Sequence, residues 1–133
     1  VVADTHKFIR TGTEDSKFGF SIKNNVAKNA VEYALSLEHI ELTGFHMHIG
    51  SQIFKISSFA EAINIVAKFC KQMHDVFNFN TQECDMGGGL GVAYKKEDTP
   101  PSIVDYCTLV VTSAETAFKK CGLSTPKLFI EPG

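Results

Sequence analysis

No stretch of this sequence approaches the ~20 apolar residues that a membrane-spanning helix requires, and its first residues carry no signal-peptide pattern. No membrane partner is expected. Basic clusters are missing too: 13 Lys and Arg stand against 15 Asp and Glu, a net charge of −2. Nucleic-acid binding draws its affinity from Lys and Arg neutralising phosphates, so no nucleic acid is expected as a partner. The cysteines Cys70, Cys84, Cys107 and Cys121 form no C-x-x-C pair. Two of them fall on apolar helical stripes, and all four read as reduced, core-packed thiols of a cytoplasmic protein rather than as disulfides. The chain also lacks an initiator methionine, opening at Val1 and stopping at Glu131-Pro132-Gly133 directly after the apolar run KLFI. Both ends look cut, so residues 1–133 are expected to be a fragment of one domain, with no complete second domain.

What remains has the balance of a globular chain, with 44% hydrophobic and 21% charged residues. ELTGFHMHI (41–49) is short and apolar and runs into Gly50, which suits a buried parallel strand. A helix follows, opened by a Ser58-Phe59-Ala60-Glu61 capping box and carrying Phe59, Ile63, Val66, Cys70, Met73 and Phe77 on one face. QECDM (82–86) reads as a second strand. Pro100, Pro101 and Ser102 open a further helix, with Ile103, Tyr106, Val110, Ala114, Ala117 and Cys121 on its stripe and Gly122 past its end. KLFIEPG (127–133) is the last strand, and Asn25 is placed to cap an early helix bearing Val26, Ala30, Val31, Ala34 and Leu35. This alternation predicts an α/β fold with parallel strands: a portion of a (β/α)8 TIM-like barrel, or an open doubly wound sheet.

Ligands of such folds gather at the C-terminal ends of the strands, and the chemically pointed residues fall there. His46, His48 and Ser51 end the first strand, Gly87, Gly88, Gly89 and Gly91 the second, and Glu131 to Gly133 the third. Glycine main chain can turn its N–H groups toward an anion such as a phosphate; the plain alternative is a tight turn with no ligand. The glycines fit neither a Walker A loop nor G-x-G-x-x-G, so a nucleotide is not indicated. His46 and His48, at i and i+2 of a strand, face one side and suit a metallohydrolase with Asp85 or Glu131 completing the site. That reading leaves the glycines unexplained, and His6, His39 and His74 offer no third ligand. Taken singly, His46 reads as a packed, hydrogen-bonded interior histidine and His48 as a ligand contact.

DSKFGF (15–20), GFHMHIGSQI (44–53), DMGGGLGVAY (85–94) and EPG (131–133), in that order, resemble the pyridoxal-phosphate barrel of the alanine-racemase-like decarboxylases. The resemblance covers almost all of the chain and a minor part of a family member. Within the family it points to the branch that decarboxylates meso-2,6-diaminopimelate to L-lysine in lysine biosynthesis. Ornithine decarboxylases continue differently after the His-x-Gly-Ser core, and biosynthetic arginine decarboxylases commonly carry serine where Pro132 stands; these, a racemase and a non-catalytic relative are the alternatives.

The resemblance implies pyridoxal 5'-phosphate as cofactor and no metal. It implies that His48 stacks on the pyridine ring, that Glu131 pairs with the ring nitrogen, and that both are catalytic. Ser51 and the main chain of Gly87, Gly88 and Gly89 would bind the phosphate, with Gly133 in the same phosphate-binding turn. It places the cofactor-bearing lysine upstream of Val1, which leaves Lys17 a structural part. A following arginine, a second domain, and a cysteine and tyrosine shared across a homodimer interface would lie downstream. The isolated fragment is expected to be inactive.

Overall fold

The structure is a computed structural model that describes residues 19–132. A 3-10 turn (Lys23–Asn25) leads into α1 (Val26–Leu35), followed by β1 (Gly44–His46), α2 (Ser57–Phe77), β2 (Glu83–Asp85), α3 (Ile103–Lys120) and β3 (Lys127–Phe129). The strands form one parallel sheet in the order β1-β2-β3. In register, Phe45, Cys84 and Leu128 make one row across the sheet, and His46, Asp85 and Phe129 make the next. Successive strand residues point to opposite faces, so these two rows look in opposite directions.

The first row faces the helices. Cys84 is fully buried among Ile63, Val66 and Cys70 of α2 and Tyr106, Val110, Ala114 and Phe118 of α3, with Leu128 packed against the same cluster. Phe45 meets Phe69 edge-on at 5.2 Å between centroids. Both crossover helices therefore cover the same face, and α2 packs along α3. The described strands run 1-2-3 without reversal, as successive staves of a barrel do, and as one half of a doubly wound sheet does before its switch point.

The strands are shorter than their apolar runs, because pairing continues beyond them as single bonds rather than a regular ladder. Met47 N–H donates to Asp85 O, Met86 N–H to Phe129 O and Glu131 N–H to Gly87 O, each at 2.9 Å. The capping box expected at Ser58 does not form. The helix starts at Ser57, and the N–H groups of Ser58 and Phe59 donate to the carbonyls of Lys55 and Ile56, leaving Ser58 buried inside the first turn. Phe59, Ile63, Val66, Cys70 and Met73 are buried as the periodicity predicts. Ala62, Ala67 and Phe69 join them because the helix is enclosed on more than one side, with Phe69 and Met73 packing against Ala27, Val31 and Phe79.

Ser102 does cap α3: its Oγ accepts from the N–H of Asp105 at 3.0 Å. The stripe holds at Tyr106, Val110, Ala114 and Ala117, but Ile103, in the first turn, is 71% exposed. At the far end Gly122, with φ of +71°, donates to Lys119 O, and Leu123 N–H reaches back to Phe118 O, a Schellman termination. Asn25 is left-handed and its side chain makes no cap bond; the buried positions of α1 are Ala27 and Val31, while Val26 and Leu35 are exposed. All four cysteines are free thiols. The adjoining Cys70 sulfur, together with burial, pushes the Cys84 thiol well above its ordinary value, so Cys84 stays neutral. Among the described residues no helix is long and apolar enough to cross a membrane.

Candidate active site at the strand ends

The turn after β2 brings the other two strand ends together. An ideal Cβ on Gly87 would stand 2.2 Å from Met47 O, one on Gly88 2.2 Å from Glu131 O, and one on Gly89 1.9 Å from Gly50 O. The side-chain-free backbone is thus demanded by main-chain carbonyls of the neighbouring segments, not by a ligand. Gly87 and Gly89 also sit at φ of +67° and +97°. The ligand side of the turn is its N–H groups. Gly87 N–H donates to Asp85 Oδ1 at 2.8 Å and Gly91 N–H to Ile53 O at 3.0 Å. Among the described residues nothing accepts from the N–H groups of Gly88, which is buried, or Gly89, which is half-buried. Buried main-chain donors are nearly always paired, so the open Gly88 N–H with that of Gly89 beside it fits an anionic oxygen.

The loop after β1 is stitched to this turn. Ile53 bridges Leu90, donating to Gly89 O at 2.9 Å. The Gln52 amide grips Val92 twice, Nε2 donating to Val92 O at 3.0 Å and Oε1 accepting from Val92 N–H at 2.9 Å. Gln52 takes φ of +55° to do so. Ser51, exposed, is thereby held beside Gly50, whose carbonyl abuts Gly89. Of the predicted phosphate donors, Gly87 differs from expectation, since its N–H is taken by Asp85, while Gly88 and Gly89 keep theirs open and Ser51 follows Gly50 in the adjoining loop. Gln52 was not singled out from sequence; only its place beside Ser51 could have pointed to it.

The second sheet face carries the ionisable groups. His46 and Asp85 are register partners, with Nδ1 3.1 Å from Oδ2, and the same Nδ1 lies 3.9 Å from Glu131 Oε2. His46 is therefore not the packed interior residue expected: its side chain is 51% exposed, because the row opposite Phe45 faces away from the helices. His48, two residues on and past the end of the strand, has its Cα 3.3 Å from the position a Gly87 Cβ would take. Glu131 is 61% exposed on the same side. Among the described residues, the donor atoms close enough to share a cation are those of His46, Asp85 and Glu131, within 4.8 Å of one another. The His46–His48 metal pair expected for a metallohydrolase is not the set brought together. Gly133 and Lys17 lie outside the described residues.

A strand-end glycine turn with open N–H groups, beside an imidazole and a carboxylate, suits an enzyme that holds a phosphorylated cofactor. The model of the pyridoxal-dependent decarboxylase family, pyridoxal binding domain, matches residues 1–133, and the chain belongs to that family. Its relatives include the diaminopimelate decarboxylase of Bacillus subtilis, 38% identical over 133 residues, which covers 100% of this chain and 30% of that protein. Among solved structures, diaminopimelate decarboxylase from M. jannaschii in complex with L-lysine matches with a TM-score of 0.83 at 32% identity, over 97% of this chain and 29% of that one. The Helicobacter pylori enzyme, also complexed with L-lysine, matches with a TM-score of 0.78 at 28% identity, over 100% of this chain and 31% of that one. The fold is thus a segment of a (β/α)8 barrel. The chain spans about 30% of the length of the curated relatives it matches.

Proposed function

We propose that this chain is part of the cofactor-binding barrel of a cytoplasmic enzyme that decarboxylates meso-2,6-diaminopimelate to L-lysine, with pyridoxal 5'-phosphate as cofactor and a homodimer as the working form. The observation that carries the reading is that the open N–H groups of Gly88 and Gly89 lie in a turn packed against the main chain of Glu131, so that an anion-binding turn and an acidic residue share adjoining strand ends. L-Lysine, the product of such a reaction, is bound in the two solved relatives described above.

When bound, the cofactor supplies a protonated pyridine ring, which takes up the electron pair left on the substrate α-carbon as CO2 departs; a proton then replaces the lost carboxyl group. The chain's own residues supply placement and charge. Gly88 and Gly89 offer N–H groups, and Ser51 a hydroxyl, to the phosphate. Glu131 is suited to the ring nitrogen, where a carboxylate favours the protonated form by opposing its charge. His48 offers a flat face that would hold the ring in register, a gain in orientation rather than in proton transfer.

The test is made on the complete protein that contains this chain, supplied with pyridoxal phosphate and each of meso-2,6-diaminopimelate, L-ornithine and L-arginine. CO2 release with formation of L-lysine from the first alone is expected. Turnover of ornithine or arginine in preference, or no turnover with saturated cofactor, would overturn the reading. Glu131→Gln should lower kcat by about 100-fold or more, the scale of losing one charge-stabilising group in an active site.

A further inference from the structure

The Asp85 carboxylate makes two contacts that lead to the same residue. Its Oδ1 accepts the Gly87 N–H at 2.8 Å, and the Gly87 carbonyl accepts the N–H of Glu131 at 2.9 Å. Its Oδ2 lies 3.1 Å from His46 Nδ1, which is 3.9 Å from Glu131 Oε2. Glu131 is thus approached through its main chain by way of Gly87 and through its side chain by way of His46, and both routes start at Asp85. The circuit joins the ends of all three strands. A carboxylate as exposed as Glu131 has many rotamers open to it; the same Nδ1 faces both acids and lies too far from Glu131 for a hydrogen bond, so what the imidazole supplies is a fixed polar neighbour that favours the rotamers bringing Oε2 toward it.

We propose that His46 and Asp85 are positioning residues for Glu131: Asp85 holds the imidazole, and the imidazole holds the Glu131 carboxylate in the direction of the cofactor's ring nitrogen. The inference rests on the cofactor reading above and deepens it. His46 touches neither end of the cofactor in this role and acts through Glu131. Removing it should matter only while Glu131 is a carboxylate, which a merely structural histidine would not obey.

The experiment is a double-mutant cycle on the complete protein, reading pyridoxal phosphate affinity by absorbance titration. His46→Ala is expected to weaken binding about 10-fold, the lower end for removing a residue that orients a ligating group. In a Glu131→Gln background the same change should cost less than about 2-fold, because the cycle removes the term the two residues share. Asp85→Asn, which keeps an oxygen for the Gly87 N–H, should reproduce the His46→Ala loss and its disappearance with Glu131→Gln. Affinity for inorganic phosphate, the probe of the glycine turn alone, should stay unchanged in His46→Ala, separating a ring-end effect from collapse of the turn. Equal losses in both backgrounds, no loss in either, or loss of inorganic phosphate binding would overturn the inference alone. Failure of the wild-type protein to bind pyridoxal phosphate would overturn the cofactor reading and the inference with it.

Discussion

An alanine at position 89 would set its Cβ 1.9 Å from Gly50 O while holding φ at +97°, whereas one at position 122 would meet nothing within 4 Å at φ of +71°. The two glycines therefore separate conformational strain from steric exclusion. Gly122→Ala should cost about 1–2 kcal/mol, the penalty for an L-residue in the left-handed region. Gly89→Ala should cost clearly more and weaken pyridoxal phosphate binding as well, since the loop bearing Ser51 must move away; denaturant melts of both variants check the order. Asp98 is a second residue with a definite consequence. The N–H groups of Lys95 and Tyr94, each 2.9 Å from its Oδ2, hold its carboxyl below the ordinary carboxylate value. A depressed folded-state value means the stabilisation is fully present above the unfolded value of about 4 and disappears as pH falls through the lower, folded one. Exchange protection of the Tyr94 and Lys95 amides should hold from neutral pH down to that point and then fall, with Asp98→Asn abolishing the transition. The glycine run was visible in the sequence as a demand for bare backbone, but the source of that demand was not, because carbonyls of residues 47, 50 and 131 come from the segments that follow other strands.

At the scale of elements, burial separates residues that periodicity treats alike. Phe59 and Ile103 both lie on predicted apolar stripes, but Phe59 is fully buried and stacks edge-on with Tyr106 at 4.9 Å, while Ile103 is exposed. Phe59→Ala should cost about 3–5 kcal/mol. Ile103→Ala should fall within about 0.5 kcal/mol of wild type, measured by the same melts. The thiols divide in the same way: in the native protein an alkylating reagent should modify Cys107 and Cys121 before the buried Cys70 and Cys84. Helix identity, the Ser102 cap and the Gly122 stop were legible because they depend on residues three or four apart. The Ser58 capping box and the Asn25 cap failed for different reasons: α2 starts at Ser57, which leaves Ser58 inside the first turn, whereas Asn25 does occupy the N-cap of α1 but takes a left-handed backbone from which its side chain makes no cap bond.

The described sheet presents one helix-covered face and one face that carries His46, Asp85 and Glu131 toward the site. If the cofactor-bearing lysine belongs to another part of the enzyme, borohydride reduction of this 133-residue chain equilibrated with pyridoxal phosphate should leave no stoichiometric adduct at a single lysine. Mass spectrometry of the digest reads the result. The sequence by itself determined the alternation of elements, the parallel sheet, the core faces of α2 and α3, and the strand-end placement of His48, Ser51, the glycines and Glu131, since periodicity and local chemistry are properties of neighbouring residues. Only the tertiary structure decided that the strands run in unbroken order, that neighbouring carbonyls exclude side chains from the glycine turn, and that His46 sits between two acids. Each of these is a relation between segments about forty residues apart, such as 46 and 85, and nothing but the register of one strand against the next sets it.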